Sequence, residues 1–413
     1  MDIPMQASNV LGADLRPRFF LVGKDSIPEF AAPEIRGGES SRAWLRCLAG
    51  MQKEALIRSA RTGACWRLTS DEGAYLAGFD EAPCPLSFMT VGMVSATLRT
   101  LLALAREQHI ELRQLRLVQD NLYTMTGSAL QGTMLGGAKD VRLTAQIDSP
   151  ADSATLTRLV AEAVSASPVS ALLRSKLPSH FGLEHNGHSV APDRVLALEA
   201  ALPNLPGMTF PETHPWANGS PVLLRRSGPS PKVAQTTTMA GDSLSPQQNR
   251  LLHLRGICTL DADGMSRVEV QMFNPHGTVF HFLSEEADAQ GRPGRAPDAL
   301  TYVAAGLGFC FMTQFGRFAT ITRQDLRDYQ IVQDMRFVDG DAHAVETQVR
   351  LATGENDDAA RGMLDMAEQT CFLHALCREV IRTRVVVQSA VDGHLAPLPD
   401  TSANGILPAS EGR

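Results

Sequence analysis

The organisation of the chain is clearest around the segment Asp298-Ala-Leu-Thr-Tyr-Val-Ala-Ala-Gly-Leu-Gly-Phe-Cys310-Phe-Met-Thr-Gln-Phe-Gly-Arg317. Small residues such as Gly306 and Gly308 allow another backbone to approach closely, and aromatic residues supply apolar bulk on the remaining faces. This composition predicts a helix buried inside the fold. Taken alone, the stretch favours a core cysteine at its centre, because free cysteine is among the most buried residue types.

The two halves of the chain repeat the surroundings of this helix. Each half has a Ser-x-Glu segment, an Ala-Pro pair 12 residues later, a mid-helix position 26 residues after the serine, and a Val-Gln-Asp segment that begins 21 residues further on. These landmarks are Ser70, Ala82, Ala96 and Leu117-Val-Gln-Asp120 in the first half, and Ser284, Ala296, Cys310 and Ile331-Val-Gln-Asp334 in the second. Four landmarks at equal spacing predict two copies of one domain.

Each copy is predicted to contain strands, one buried helix, more strands and a final helix, which is an α+β architecture. Alternating residues predict strands at 54–58, 64–68, 115–120 and 141–147, and at 266–273, 278–283, 329–337 and 345–352. The first buried helix is predicted from Pro85 to about residue 108, and Pro85 and Pro297 are expected in the first turns of the two buried helices. Final helices are predicted at 151–173 and 357–382, with acids near their starts. Asp71-Glu72 and Glu285-Glu286 are expected to lie in solvated turns.

Composition predicts five segments. Residues 1–40 are interpreted as an N-terminal extension, 41–199 as a degenerate first domain, and 200–247 as a linker rich in Pro, Gly, Ser and Thr. Residues 248–394 form the second domain, and 395–413 are expected to be a flexible tail.

The totals exclude several classes of function. A chain of 413 residues with 44% hydrophobic and 20% charged residues is an ordinary core-forming composition, and a formal charge of -7 without a basic run argues against nucleic-acid binding. No apolar run approaches the ~18 residues of a membrane span, and the N-terminus lacks the pattern of a secretory signal, so a cytoplasmic location is expected. Seven cysteines, an odd number in a large chain, indicate reduced thiols with a redox or catalytic subset.

The chain resembles the OsmC/Ohr family of thiol peroxidases over about 42–185 and 247–392. Ala296-Pro-Asp-Ala-Leu-Thr-Tyr-Val-Ala-Ala-Gly-Leu-Gly-Phe-Cys310-Phe is similar to the first-cysteine helix of the family, and Ala367-Glu-Gln-Thr-Cys371-Phe-Leu-His to its second-cysteine helix. Ala82-Pro-Cys-Pro-Leu-Ser-Phe is similar to the helix start in the first copy. The resemblance implies two tandem OsmC-like domains, each with an antiparallel sheet around long buried helices. Because family members form intertwined homodimers, it also implies an intrachain pseudo-dimer, with further homo-oligomers left open.

The resemblance implies that Cys310 is the peroxidatic thiol and Cys371 the resolving thiol. Ala96 and Ser167 occupy these positions in the first copy, so only the second copy is expected to react. The implied substrate is an organic hydroperoxide, the electron donor is a thiol or dithiol, and no cofactor is implied.

The family pairs an activating arginine with a glutamate near the helix start, and this chain has no glutamate there. The nearest acid is Asp298, and the candidate arginines are Arg292 and Arg295 in the preceding loop. A peroxidase site needs such a group, because the thiolate is the nucleophile and free cysteine has a pKa near ~8.5.

Three residues on the final helix allow other interpretations. Cys371, His374 and Cys377 could form a metal site, but ligands at i and i+6 of one helix point poorly for tetrahedral closure, so no metal is predicted. His374 could instead act as a base or orienter for a cysteine, or be a packed helix residue. The alternatives to a peroxidase are a non-redox cysteine-nucleophile enzyme and a non-catalytic protein that binds an apolar ligand.

Overall fold

Strands and helices follow one order twice along the chain. The computed structural model describes residues 8–23, 26–33, 37–216, 221–232, 248–399 and 401. The strands are β1 Phe20–Leu21, β2 Gly38–Ala49, β3 Gln52–Ser59, β4 Cys65–Ser70, β5 Gln114–Gly127, β6 Leu135–Ala138, β7 Val141–Asp148, β8 Ser179–His185, β9 His188–Val190, β10 Leu196–Ala197, β11 Leu224–Pro229, β12 Gln248–Leu260, β13 Ser266–Asn274, β14 Thr278–Ser284, β15 Leu326–Val338, β16 Asp341–Ala342, β17 Val345–Thr353 and β18 Thr383–Ser389. The helices are α1 Val10–Ala13, α2 Pro85–Glu107, α3 Ser153–Ala166, α4 Ala171–Arg174, α5 Ala299–Thr322, α6 Asp357–Thr370 and α7 Phe372–Arg378, with short 3-10 turns at Ala74–Leu76 and Pro168–Ser170.

Two sheets exchange strands between the halves of the chain. The first sheet has the order β1-β4-β3-β2-β15-β17-β8-β10, and the second has the matching order β11-β14-β13-β12-β5-β7-β18. The first long strand of each half therefore pairs with a later strand of the other half: β2 with β15, and β12 with β5. This arrangement is α+β and is the intrachain pseudo-dimer that the duplicated sequence predicts. The boundaries at 41–199 and 248–394 remain sequence predictions, because each sheet draws strands from both ranges.

The sheets are mixed, which corrects the expectation of purely antiparallel sheets. β8 runs parallel to β17, and β18 runs parallel to β7. The sequence pattern missed both of these outer strands, and it also missed the central strands β2 and β12. Each outer strand follows the final helix of its copy, but its parallel neighbour comes from the other half of the chain, so neither parallel pair is joined directly by a helical crossover.

The two long helices cross closely between the sheets. A Cβ added at Gly92 of α2 would lie 2.5 Å from Val303 Cγ2 and 2.8 Å from Ala299 O of α5. A Cβ at Gly306 of α5 would lie 3.0 Å from Met89 N. These glycines therefore permit the close approach that the small residues predict, in both directions across the contact.

Both crossing helices are apolar enough to span a membrane by length and composition alone. The qualifying segments are α2 and α5, so the expectation that no apolar run approaches this length is wrong. The most apolar window of α2 is 72% buried inside the protein and that of α5 is 89% buried. Their apolar surface is thus used in the core, where each helix packs against the other and against a sheet.

Helix boundaries differ from the sequence expectation at two kinds of position. Pro85 begins α2, but Pro297 precedes the cap of α5, where Asp298 Oδ1 accepts a hydrogen bond from Thr301 N at 2.7 Å. Each final helix is also broken, at Ser167 and at Cys371, both of which have extended backbone. Pro168 explains the first break, because a residue before proline disfavours helical geometry.

The repeated Val-Gln-Asp segment forms the same buried ion pair in both sheets. Arg42 of β2 donates to both oxygens of Asp334 of β15 at 2.7 Å, and Arg255 of β12 donates to both oxygens of Asp120 of β5 at 2.8 Å. All four side chains are at most 2% exposed. Each pair joins one half of the chain to the other at the centre of a sheet.

Described parts of the N-terminal extension and of the linker pack against the two sheets. Phe20 and Phe30 join Trp44 in an apolar cluster on the first sheet, and β11 of the linker pairs with β14. The predictions for residues 1–7, 24–25, 34–36, 217–220, 233–247, 400 and 402–413 lie outside the described residues.

Candidate active site

The fold brings Cys310 and Cys371 together. Cys310 lies in the middle of α5 and is 2% exposed, while Cys371 lies at the break between α6 and α7 and is fully buried. The Cys371 side chain and the backbone of Phe372 and Leu373 lie close enough to the Cys310 sulfur to shift the pKa of that thiol. A thiol pair that is distant in sequence thus meets inside the protein.

His374 contacts the second thiol from the same helix. Its Nδ1 lies 3.1 Å from Cys371 Sγ, and its ring packs against Phe311 at 5.3 Å and Phe181 at 5.6 Å between centroids. Its Nε2 is buried and has no hydrogen-bond partner among the described residues. The structure therefore places His374 beside a cysteine, as one of the sequence interpretations requires.

The two thiols have opposite pKa shifts. Burial and the adjacent Cys371 sulfur raise the pKa of Cys310 well above its ordinary value of 9.0. Burial also disfavours the Cys371 thiolate, but the hydrogen bonds from Cys310 and His374 and the charge of the His374 ring outweigh burial and hold the pKa of Cys371 well below that value. The pair consequently favours a single negative charge that rests on Cys371, with a proton on Cys310.

Buried charges from both halves of the chain interact with the site or with one another. Lys53 of β3 is 1% exposed and donates from Nζ to Met51 O at 2.9 Å, and burial lowers its pKa. Glu72 accepts a hydrogen bond from Tyr75 Oη at 2.7 Å, and burial raises its pKa to about 7. Arg317, on α5, has its pKa lowered to about 10 by burial. The charges of Lys53 and Arg317 interact with the Cys310 thiol. Lys53 belongs to the first half of the chain, so a charge from the half without the thiol pair acts on a thiol of the other half.

Sequence analysis missed these charges. The expectation that Asp71-Glu72 lies in a solvated turn is wrong, because Asp71 is fully buried and Glu72 is 6% exposed. Asp71 accepts hydrogen bonds from the backbone N–H groups of Glu72, Phe79 and Glu81. The recurrence of this acidic pair in both copies was the available signal.

The other predicted activating residues lie elsewhere. Arg292 pairs with Asp288 at 2.6 Å, Arg295 pairs with Glu285 at 2.8 Å, and both guanidinium groups are exposed. Asp298 caps α5 twelve residues before Cys310, which at ~1.5 Å per helical residue corresponds to about 18 Å. The structure does not bring any of these three to the thiols.

Comparison with known proteins identifies the segment that carries both cysteines. Residues 292–386, from the loop before α5 into β18, match the family model described as OsmC-like protein. This segment is therefore OsmC-like. The solved structures include an OsmC-like hydroperoxide resistance protein from Jannaschia sp. CCS1 with 16% sequence identity and a TM-score of 0.24, and the match covers 38% of this chain and 99% of that one. No curated protein matches the sequence.

The first half of this OsmC-like chain repeats the site without its thiols. Ala96 lies buried in the middle of α2, and Ser167 lies at the break that follows α3. Ser167 Oγ is buried without a hydrogen-bond partner among the described residues. The duplicated fold therefore forms around either residue pair, and the described residues show a cysteine at both positions in the second copy and at neither in the first.

A cluster of metal-ligand types lies apart from the thiols. His185 at the end of β8, His188 in β9 and Asp357 at the start of α6 hold their ligand atoms within 4.8 Å of one another. Asp357 Oδ1 lies 2.6 Å from His185 Nδ1 and 3.0 Å from His188 Nε2. Two imidazoles and one carboxylate are a donor set that suits zinc or iron.

Hydrogen bonds around His185 argue against a metal in this cluster. Asn186 donates to Thr353 O at 3.0 Å and accepts from Thr353 N at 3.1 Å, which sets the orientation of its amide. Its Nδ2 then donates to His185 Nε2 at 3.0 Å, so in the neutral ring the proton is on Nδ1, which donates to Asp357. A protonated nitrogen cannot bind a metal, and the cluster is better described as a hydrogen-bonded contact at the start of α6.

Glu72 makes stability depend on pH. Its folded pKa of about 7 lies above the ordinary 4.5, so its contribution to stability is lost as pH rises from 4.5 through 7, and the full cost is present above that range. Glu72→Gln is therefore expected to raise the free energy of unfolding at pH 8 by up to about 3 kcal/mol and to change it little at pH 4. Denaturant unfolding at both pH values measures the difference. Glu162→Gln, at an exposed position, is the control and should change stability by less than about 0.5 kcal/mol.

Proposed function

We propose that this OsmC-like protein is a thiol peroxidase that reduces organic hydroperoxides, with Cys310 as the peroxidatic thiol and Cys371 as the resolving thiol. The observation that carries the proposal is the burial of Cys310 beside Cys371, close enough for the Cys371 side chain to shift the pKa of the Cys310 thiol. The OsmC-like segment supports a role of the peroxidase type, and hydroperoxide resistance is the activity for which the similar protein from Jannaschia is named. The apolar side chains around Cys310 favour a substrate with an organic group.

The proposed reaction has three steps. The Cys310 thiolate attacks the terminal oxygen of the hydroperoxide, the O–O bond breaks, and the alkoxide leaves as an alcohol after taking a proton, so that Cys310 becomes a sulfenic acid. The Cys371 thiolate then attacks the Cys310 sulfur, a disulfide forms, and hydroxide leaves as water after protonation. An external dithiol, or two monothiols, then supplies two electrons, becomes a disulfide itself and returns the pair to one thiol on Cys310 and one thiolate on Cys371.

The first step needs a proton to leave Cys310, and the contact between the two thiols gives that proton a path to Cys371. With the resting charge on Cys371, the Cys310 proton passes to Cys371 as Cys310 attacks. The backbone N–H groups of Phe372 and Leu373 and the buried cations Lys53 and Arg317 then stabilise charge on Cys310. In this scheme His374 is a positioning residue that lowers the pKa of Cys371 and so keeps the resting negative charge on that sulfur.

Addition of one equivalent of an organic hydroperoxide tests the proposal. Reaction of the reduced protein with cumene hydroperoxide is expected to form one Cys310–Cys371 disulfide, detected by peptide mass spectrometry without reduction. The five remaining cysteines serve as internal controls and are expected to stay reduced. Persistence of both thiols after excess hydroperoxide would reject the peroxidase.

Replacement of His374 should shift the ionisation of the thiol pair. His374→Phe removes the group that lowers the pKa of Cys371, so thiolate formation is expected to move to higher pH. Ultraviolet absorbance of the thiolate during a pH titration measures the midpoint. His180→Phe, which replaces a histidine away from the thiols, is the control and should leave the midpoint unchanged. A midpoint unchanged in His374→Phe as well would show that the Nδ1 contact does not set the charge on Cys371.

The contact between His374 and Cys371 also favours a second candidate function. A cysteine beside an imidazole is the arrangement of non-redox cysteine nucleophiles, which form covalent intermediates with activated substrates. An adduct on Cys371 that survives treatment with thiol reductants would support this function over the peroxidase.

A further inference from the structure

An open pocket lies on the face of the second sheet that points away from the central helices. Its volume is about 350 Å³, within the range of small-molecule sites. Its floor is formed by β12, β13 and β14, and its edges by β11, β5 and the segment that follows β18. The thiol pair is not among the residues that line it.

The matching face of the first sheet is filled by the protein itself. Trp44 of β2 packs there against Phe30 at 5.8 Å and Phe210 at 4.8 Å between ring centroids. Phe20 and Leu56 belong to the same buried cluster. The first sheet therefore has a second apolar core where the second sheet has a pocket.

The strand register shows which residues replaced that core. Because Arg42 and Arg255 hold the equivalent ion pairs, Trp44 corresponds to Ile257, and its neighbour Leu56 corresponds to Glu269. The same counting gives three further replacements by arginine. They are Phe20 to Arg225, Glu54 to Arg267 and Gln330 to Arg116. The second sheet thus leaves open the space that Trp44 fills in the first, and it has arginines at these three positions, while Thr259 and His281 stand where the first sheet has Arg46 and Arg67.

The pocket combines this basic edge with an apolar lining. The side chain of Arg225 makes no hydrogen bond or ion pair with any residue that the structure describes. Arg267 Nε lies 3.6 Å from Asp261 Oδ2. Arg116 is held in place by Gln146 at 2.6 Å. Glu269 lies 3.9 Å from His281 and is the acid that lines the pocket. Apolar surface comes from Val222, Ile257, Leu283 and Leu398.

We propose that this pocket binds an amphipathic organic anion, with its acidic group against Arg225 and Arg267 and its apolar chain over Ile257. Guanidinium groups recognise carboxylates and phosphates through paired hydrogen bonds, and the apolar lining provides a surface for the chain. The ligand can therefore be a medium-chain carboxylic acid or a phosphate monoester of similar length. This site is separate from the thiol pair and does not depend on the peroxidase proposal.

Calorimetric titration of the full-length protein tests the site with three probes of equal chain length. Dodecanoate and dodecyl phosphate, kept below their micelle concentrations, are expected to bind saturably, and the tighter of the two identifies the acidic group. Dodecanol, which lacks the charge, should bind at least about tenfold more weakly, since hydrogen bonds to charged groups contribute about 1.5–3 kcal/mol.

Two variants and one matched control locate the binding. Arg225→Gln with Arg267→Gln should weaken anion binding at least about tenfold. Ile257→Trp restores the large side chain of the first sheet and should abolish binding by filling the pocket. Arg158→Gln removes an exposed arginine elsewhere and should leave affinity unchanged. Hydroperoxide turnover should stay unchanged in all of these variants, because none of them lies at the thiols.

Equal affinities in the wild type, the double arginine variant and Ile257→Trp would overturn the proposal. Absence of saturable binding by either anion would also overturn it. Unfolding midpoints of each variant establish that the native fold is retained, and the double arginine variant tests the proposal even if Ile257→Trp unfolds.

Discussion

Cys310→Ser is expected to lower hydroperoxide turnover by about three orders of magnitude or more, which is the effect of removing a nucleophile in well-studied enzymes. A serine hydroxyl at this position keeps the size of the side chain but cannot form a thiolate or a sulfenic acid. Steady-state consumption of cumene hydroperoxide with a dithiol reductant measures the loss. The fold should be retained, because the equivalent helix α2 already forms around Ala96.

Cys371→Ser distinguishes attack by Cys310 from attack by Cys371. If Cys310 attacks, this variant should still consume one equivalent of hydroperoxide and form a sulfenic acid that a dimedone reagent traps at Cys310. Turnover with a dithiol should fall because the resolving thiol is absent. A sulfenic acid trapped at Cys371 in Cys310→Ser, with none at Cys310 in Cys371→Ser, would reverse the two roles. The low pKa of Cys371 makes this comparison decisive.

Asp334→Ala is expected to destabilise the protein by about 3–5 kcal/mol, because it leaves the buried Arg42 guanidinium without its carboxylate. The carbonyl groups of Pro203 and Asn204 also accept hydrogen bonds from Arg42 at 2.8 and 3.0 Å, but they carry no full charge. Denaturant unfolding measures the change in free energy. The effect should be large because the pair also joins the two halves of the chain across the first sheet.

Two further variants separate the loss of charge pairing from a general effect of substitution. Asp288→Ala removes the partner of the exposed Arg292 and should change stability by less than about 1 kcal/mol. Arg42→Met combined with Asp334→Leu replaces both charges by apolar groups and should recover much of the loss. If Asp334→Ala costs less than about 1 kcal/mol, water or another group must reach Arg42, and the ion pair is not a principal link between the halves.

The duplicated design divides two tasks between the copies. The second copy provides both thiols, while the first copy provides Lys53, whose charge interacts with the Cys310 thiol, and Glu72, whose charge interacts with Lys53. Loss of the thiols at Ala96 and Ser167 left the first copy free to keep this supporting role. The division also explains why the two copies can diverge in sequence while they retain the same strand order.

The sequence predicted the features that depend on near neighbours and on repetition. The landmarks at equal spacing predicted the duplication, and the small residues of the Cys310 helix predicted its burial, while the pairing of Cys310 with Cys371 was implied by the resemblance to the OsmC/Ohr family. Pro85 marked a helix start correctly for the same reason, since its effect is confined to one turn. Pro297 did not, because Asp298 provided a competing local signal as a cap.

Only the tertiary structure decided which half serves which site. Packing between the two halves brings Lys53 close enough to interact with the Cys310 thiol, and no local pattern reveals a contact between residues so far apart in sequence. The same long-range packing turns the acidic pair at residue 72 from an expected solvated turn into a buried group with a pKa of about 7. By itself, the sequence determined the repeat, the buried helices and the two cysteines, because these depend on composition and spacing along the chain. The surroundings that set the charge of the cysteines come from contacts between segments that only the folded chain brings together.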